Sequence, residues 1–136
     1  MKISRKLEYA CRVLAQLARQ DQGLGLVHID SLAEAEAIPS NYLVQILNGL
    51  RIAGLIISKR GQQGGYALAK NPDEISFYSI VMAVDAESLK FSCQRSGESG
   101  MQVFEAWDEL GKQWIEQLKA ISLDSIITVD SKMYYI

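Results

Sequence analysis

The chain has 136 residues, of which 49% are apolar and 22% charged, and its formal net charge at pH 7 is −2. This composition predicts one folded domain with its own core and excludes a low-complexity chain. No stretch approaches the roughly 18 uncharged apolar residues that a membrane span needs. Charged residues near the start argue against a signal peptide. Two cysteines are too few for a disulfide framework, so we expect a cytoplasmic protein.

The small net charge conceals an asymmetry between the two halves of the chain. Residues 1–70 hold nine Lys and Arg against five Asp and Glu, a net of +4. Residues 71–136 hold five against eleven, a net of −6. A positive excess in the first half fits contact with phosphates. Two ordinary solvated surfaces would give the same numbers, so charge alone does not choose between these interpretations.

The first half begins with two helical patterns separated by a break. Apolar residues recur at helical spacing over residues 3–20, and Ser4 is placed to cap this helix. A glycine-containing break at 22–25 follows. Residues 26–29 are either a short strand or an extended lead-in. Asp30 is then the expected cap of a short helix over 31–37.

A second helix and a hairpin follow directly. Pro39 suits a helix start, and the apolar spacing predicts a helix over 40–53, which Gly54 would end. Residues 55–58 and 66–68 form two short strands, and three glycines between them, Gly61, Gly64 and Gly65, provide the positive φ angles of a tight loop. The predicted fold is therefore mainly α with a small β-hairpin, in the order of a winged helix-turn-helix.

The second half contains a further helix and the clearest periodicity of the chain. A helix is expected over 76–86, then an irregular segment at 87–101, and then a long amphipathic helix. Its apolar residues are spaced 3, 4, 3, 4 and 3 apart, which is a heptad seam: Phe104, Trp107, Gly111, Trp114, Leu118 and Ile121. Part of this seam could cover the chain's own core, but we favour a dimer interface. The remaining residues, including the strand-like 126–129, stay unassigned.

These elements divide the chain into three regions within one compact domain. Residues 1–86 form the winged helix-turn-helix region, residues 87–101 an irregular loop, and residues 102–136 the dimerisation helix and tail. In such a fold the first residues of the second helix face the DNA major groove. The candidate contacts are Ser40, Asn41, Tyr42 and Gln45 on this helix, Arg51 further along it, and Lys59, Arg60 and Gly61 at the hairpin tip.

The chemistry of these residues suits nucleic acid. Asn41 and Gln45 carry amides that can bond adenine with two hydrogen bonds. Arg60 stands beside a glycine, which suits insertion into a narrow minor groove. Singly, each has a structural alternative: Tyr42 could pack, Asn41 could cap and Arg51 could be a solvated side chain.

Several segments resemble the Rrf-two family of bacterial transcription regulators, which includes an iron-sulfur cluster regulator, nitric-oxide sensors and a cysteine-metabolism repressor. They are the opening MKISRKLEYA, residues 38–47, LRIAGL at 50–55, the wing at 60–66 and residues 80–85. The resemblance covers about residues 1–123. It implies a homodimer joined through the long helix, a pseudo-palindromic double-stranded operator, base reading by Asn41, Tyr42 and Gln45, and a minor-groove contact by Arg60 and Gly61.

The resemblance also raises the question of a sensor. Many members hold an iron-sulfur cluster on three cysteines before the long helix. Here only Cys93 remains, Met101 stands near the third position, and Phe104 lies where some members carry histidine. Glu8 occupies the place from which some relatives donate a carboxylate of the partner subunit. We therefore expect no three-cysteine cluster, although two ligands remain.

The remaining cysteine and the single histidine have their own interpretations. Cys93 is either a redox thiol or a leftover loop cysteine, Cys11 is expected in the core, and His28 is expected to be structural. Three functions compete: a homodimeric DNA-binding regulator, which we favour, a winged-helix protein-interaction module, and a small enzyme with Cys93 as nucleophile. No oxyanion-type motif accompanies that cysteine, so an enzyme is not expected.

Overall fold

A computed structural model describes residues 2–20 and 25–127. The first helix, α1, spans Arg5–Arg19, and Ser4 caps it by accepting a hydrogen bond from the backbone N–H of Leu7, as predicted. The Ser4 hydroxyl also donates to Asp85 Oδ2 at 2.9 Å. Because Asp85 follows the fourth helix, this hydrogen bond fixes the start of α1 beside the end of a distant element.

The helix-turn-helix consists of α2, Ile29–Glu36, and α3, Ser40–Ile52. The predicted cap of α2 was wrong: His28 occupies the N-cap position without a side-chain hydrogen bond to the helix, and Asp30 lies in the first turn. Ala37 ends α2 in the left-handed conformation, with φ 55°. Gly54 follows α3 with φ 80°, which is the glycine stop that the sequence predicts.

The wing is a two-stranded antiparallel hairpin of β1, Ile56–Lys59, and β2, Gly65–Leu68. Its loop departs from prediction at Gly64, because only Gly61 and Gly65 of the three glycines have positive φ. Gly64 is required for space instead, since a Cβ there would stand 2.1 Å from the carbonyl oxygen of Lys59.

The extended lead-in before α2 adds a third stretch of backbone to the wing. Val27 forms an isolated antiparallel bridge with Tyr66, and the two residues exchange N–H to carbonyl hydrogen bonds of 2.8 Å each. The start of α2 is thereby attached to β2.

After the wing come α4, Phe77–Val84, capped by Ser76, and the long helix α5, Gly100–Ala120. Short 3-10 turns at Pro72–Glu74 and Ala86–Leu89 flank α4, so the segment expected to be irregular begins with a turn. The long helix begins at Gly100, two residues before its predicted start.

One apolar core joins these helices, with α4 packed against α1, α3 and α5. Its largest fully buried side chains come from every helix except α5 and from β1, and include Leu14, Leu32, Leu43, Ile46, Ile56 and Ile80. The chain that follows α5 returns to this core, because Ser122 bridges Ser76 and Leu123 is fully buried.

Candidate nucleic-acid interface

The outward face of α3 carries the residues that sequence reasoning assigned to base reading. Ser40, Asn41 and Gln45 are exposed. Sequence reasoning missed two exposed neighbours on the same face, Val44 and Asn48, which follow from helical spacing alone because they lie three or four residues from Asn41 and Gln45. The face thus presents amides together with an apolar side chain.

Tyr42 packs against another helix, which is the structural alternative given above. It is half-buried, and its ring meets that of Tyr9 in α1 edge to face, with the centroids 5.5 Å apart. The next turn of α3 is fixed in another way, since Arg51 Nη2 donates to Asn48 Oδ1 at 2.7 Å. This hydrogen bond holds the guanidinium of Arg51 near the C-terminal end of the exposed face.

The wing tip is basic and exposed, as predicted. Lys59 ends β1, and Arg60 and Gly61 follow it in the loop. Gly61 has φ 111° and open space around the position of a Cβ, so its conformation rather than crowding demands glycine. The tip can therefore approach a partner closely beside the Arg60 side chain.

A groove of about 540 Å³ lies between the wing, the end of α3 and the start of α2. The side chains of Arg51, Lys59 and Arg60 line it, so two separate elements contribute cations to one surface. His28 also lines it. Among the described residues that form this groove there is no Asp or Glu. The surface is suited to a polyanion.

Comparison with known proteins agrees with this arrangement. A sequence model of the Rrf2 (Rrf-two) family, described as "Iron-dependent Transcriptional regulator", matches residues 3–129. The chain belongs to the Rrf2 family. It is similar to the HTH-type transcriptional regulator IscR of Aliivibrio salmonicida, with 32% identity over 98% of this chain and 80% of that protein.

Two further relatives show how much of each chain the similarity covers and how closely the fold agrees. The putative HTH-type transcriptional regulator Rv1287 of Mycobacterium tuberculosis is 44% identical over 62% of this chain, but the match spans about half, 52%, of its own length. The structure of CymR, the global cysteine regulator of B. subtilis, superposes with a TM-score of 0.81 and 28% identity, covering 95% of this chain and 98% of CymR. The predicted family and fold class are confirmed.

The description of the Rrf2 family names iron, but the described residues hold no set of side chains arranged to bind it. No group of three His, Cys, Asp or Glu side chains comes together there. Cys93 is exposed in a cleft of about 200 Å³ with Phe91, Phe104 and Trp107. Glu8 lines a different cleft and pairs with Arg12 at 3.4 Å. The side chains described within one chain therefore do not fit a cluster.

The other cysteine is partly buried at the edge of the core, rather than inside it. Cys11 packs against the hydrophobic core, and burial raises its pKa to about 11. Cys11 lines a different cleft from Cys93, so it does not stand beside Cys93 as a second thiol ligand.

The seam of α5 is only partly free. Leu118 is 5% exposed and belongs to the chain's own core, and Gly111 is covered by Phe91, whose Cε2 would stand 2.2 Å from a Cβ at that position. These two residues are corrected from interface to internal packing. Phe104 is half-buried beneath the guanidinium of Arg95, 3.7 Å from the ring centroid.

The exposed apolar stripe of α5 is displaced slightly around the helix. It keeps three seam residues and adds two that flank the seam, at spacings of 4, 3, 4 and 7: Val103, Trp107, Leu110, Trp114 and Ile121. Trp114 and Ile121 also line an apolar cleft of about 440 Å³ between α1, α4 and α5. Within residues 2–20 and 25–127, no helix has the length and apolar character that crossing a bilayer would require.

Proposed function

We propose that this Rrf2 protein is a homodimeric, sequence-specific transcription repressor that binds a pseudo-palindromic operator in double-stranded DNA. Each protomer would place α3 in the major groove and the wing tip in the neighbouring minor groove. In this proposal the protein acts in the cytoplasm and is not an enzyme. One observation carries it: Arg51 at the end of α3 and Lys59 and Arg60 of the wing converge on one groove that carboxylates do not line within the described residues.

The division of labour follows from side-chain chemistry. Asn41 and Gln45 would read base edges, since an amide can donate to and accept from adenine at once. Val44, which is 53% exposed, would contact a thymine methyl group. Arg60 would enter the minor groove, whose negative potential is strongest where the groove is narrow. Tyr42 is assigned to packing against Tyr9 rather than to base reading.

The dimer would form through the exposed stripe of α5. Trp107 and Leu110 are 51% and 52% exposed, and apolar side chains at heptad spacing normally pack against a second helix. Two protomers related by a twofold axis would present two α3 helices, which is the symmetry that a pseudo-palindromic operator matches.

The signal is proposed to differ from that of cluster-bearing members. We propose that no three-cysteine iron-sulfur cluster is bound, because Cys93 stands alone in its cleft within the described residues. A regulator that senses oxidation through the exposed Cys93 thiol is the alternative. Anaerobic purification with an absorbance spectrum and iron and sulfide analysis tests the cluster-free proposal. Stoichiometric iron and sulfide would contradict it, and the variants Cys93→Ser and Glu8→Gln would then locate the cluster ligands. An iron-free protein would direct the next test to oxidation of Cys93.

The DNA-binding proposal is tested by selection from a random duplex library, followed by affinity measurements on the selected duplex and on a random duplex. Gln45→Ala should weaken binding of the selected duplex by about 1–3 kcal/mol and leave the affinity for the random duplex unchanged. Arg60→Ala should weaken the selected duplex and reduce the salt dependence. Gln102→Ala and Lys112→Ala, exposed on α5 away from the groove, are the matched controls.

A wild-type protein without preference for any duplex would contradict the proposal. That result would favour the protein-interaction module. Duplex binding that survives Arg60→Glu unchanged would instead show that the wing does not contact the duplex and is free for a protein partner.

A further inference from the structure

The groove between the wing, α3 and α2 contains one residue that the proposed function does not use. His28 lines this groove together with Arg51, Lys59 and Arg60, and its side chain is 54% exposed. It is the single histidine of the chain. Its position is not accidental, because the Val27 to Tyr66 bridge binds the preceding residue to β2 through two hydrogen bonds of 2.8 Å.

Glycine is required for this close approach of the two segments. A Cβ at Gly65 would stand 2.5 Å from the carbonyl oxygen of Val27 and 3.2 Å from the backbone nitrogen of His28. The backbone of β2 therefore passes directly beside His28, and the imidazole shares the groove with the basic residues of the wing.

The geometry of DNA dictates what such a groove would hold. A major and a minor groove that are neighbours on a duplex are separated by one sugar-phosphate strand. If α3 lies in the first and the wing tip in the second, that strand passes between α3 and the wing. The space between α3 and the wing is the groove of about 540 Å³ that these cations line.

We propose that this groove seats the sugar-phosphate strand of DNA and that His28 is a phosphate-binding residue, donating a hydrogen bond from its imidazole to a phosphate oxygen. The inference rests on the proposed DNA-binding function. Imidazole can donate from either ring nitrogen. Nδ1 lies 3.8 Å from Asp30 Oδ2, so we assign the phosphate contact to Nε2.

The contact carries no sequence information. A phosphate is present at every position of every duplex, so His28 would add affinity for all duplexes equally, in contrast to Asn41 and Gln45. Its loss should therefore change affinity without changing specificity, which separates a phosphate contact from base reading.

The experiment compares wild type with His28→Asn and His28→Lys on the selected duplex and on a random duplex, over a series of salt concentrations. Asparagine is a preferred N-cap residue, so His28→Asn preserves or improves α2, and its thermal unfolding is measured alongside. We expect about tenfold weaker binding of both duplexes by His28→Asn, which is the loss of one hydrogen bond to a charged group. His28→Lys should restore the affinity and steepen the dependence of log K on log salt by about 0.9 for each added phosphate contact.

A second measurement locates the contact. Methylphosphonates that replace single phosphates of the selected duplex remove one charge at a time. At one position in each half-site, the substitution should weaken the binding of wild type but not that of His28→Asn. The variant already lacks the side chain that contacts this phosphate, so removing the phosphate charge costs it nothing more.

The other outcomes are equally decisive. If His28→Asn binds both duplexes like wild type, the inference is overturned while the proposed function stands. If it loses affinity for the selected duplex alone, His28 reads a base and the phosphate role is wrong. If wild type binds neither duplex, the proposed function and this inference fail together.

Discussion

The ring of Tyr42 in α3 meets the ring of Tyr9 in α1 edge to face, with an interplanar angle of 88°. Arg12, one turn along α1, lies over the same Tyr9 ring at 5.2 Å and pairs with Glu36 at the end of α2 at 3.6 Å. It also donates to the Glu36 carbonyl oxygen. The first helix therefore contacts both helices of the helix-turn-helix and fixes the turn between them.

Tyr42 provides the first prediction. Tyr42→Phe should leave the free energy of unfolding and the affinity for the selected duplex within about 0.5 kcal/mol of wild type, because the ring contact is kept. Tyr42→Ala should lower the free energy of unfolding by more than the aromatic contact alone contributes, which is about 0.5–1.5 kcal/mol beyond the buried area. Urea unfolding and fluorescence anisotropy measure the two quantities. If Tyr42→Phe loses affinity for the selected duplex while its stability is unchanged, the Tyr42 hydroxyl reads a base.

The wing gives a second prediction, with a built-in comparison between two glycines of positive φ. Gly65→Ala should cost about 1–3 kcal/mol and break the Val27 to Tyr66 bridge, because the new Cβ collides with backbone atoms. Gly61→Ala should cost less, since no atom lies within 4 Å of its Cβ position. Hydrogen exchange at the Val27 and Tyr66 amides is the measurement. Equal protection of these amides in both variants would refute the steric argument.

The α5 stripe separates assembly from folding, which is the third prediction. Trp107→Glu should convert a dimer to monomers in sedimentation experiments with little change in secondary structure. Leu118→Ala should instead lower the free energy of unfolding by about 2–5 kcal/mol, because it leaves a cavity in the core. Glu105→Gln, exposed elsewhere on α5, is the control. A Trp107→Glu protein that sediments like wild type would place the dimer interface elsewhere.

The fourth prediction concerns alkaline pH. The pKa of Cys11 is raised from 9.0 to about 11 in the folded protein, so between these values the unfolded chain releases a proton that the folded chain retains. The stability that this thiol contributes is therefore fully present below pH 9 and is lost as the pH rises toward 11, by up to about 1.4 kcal/mol per pH unit. Urea unfolding of wild type and Cys11→Ala between pH 8 and 11 should show this loss in wild type alone. Parallel curves would show that the burial of Cys11 has no energetic consequence.

Much of the fold is predictable because its causes are local. Helical spacing, the Ser4 cap and the Gly54 stop each act within a few residues, so the sequence predicts the ends of α1 and α3 to within two residues. The basic wing tip is equally local, since Arg60 and Gly61 are neighbours in the chain. The order of these elements, together with the family resemblance, was enough to indicate a DNA-binding regulator.

Tertiary structure decided what depends on distant partners. Heptad spacing defines the apolar side of α5, but the rotation of that helix against α4 determines that Leu118 faces the core while Trp107 stays exposed. In the same way, helical spacing places Tyr42 near the start of α3, and only Tyr9 from another helix turns it inward.

His28 shows the difference most clearly. By sequence it is a lone histidine beside an apolar run, thirty residues or more from the basic wing tip. Backbone hydrogen bonds between Val27 and Tyr66 bring it into the groove with Arg51 and Lys59. Such a bridge forms between segments far apart in the chain and has no periodicity of its own, so only the folded structure reveals it.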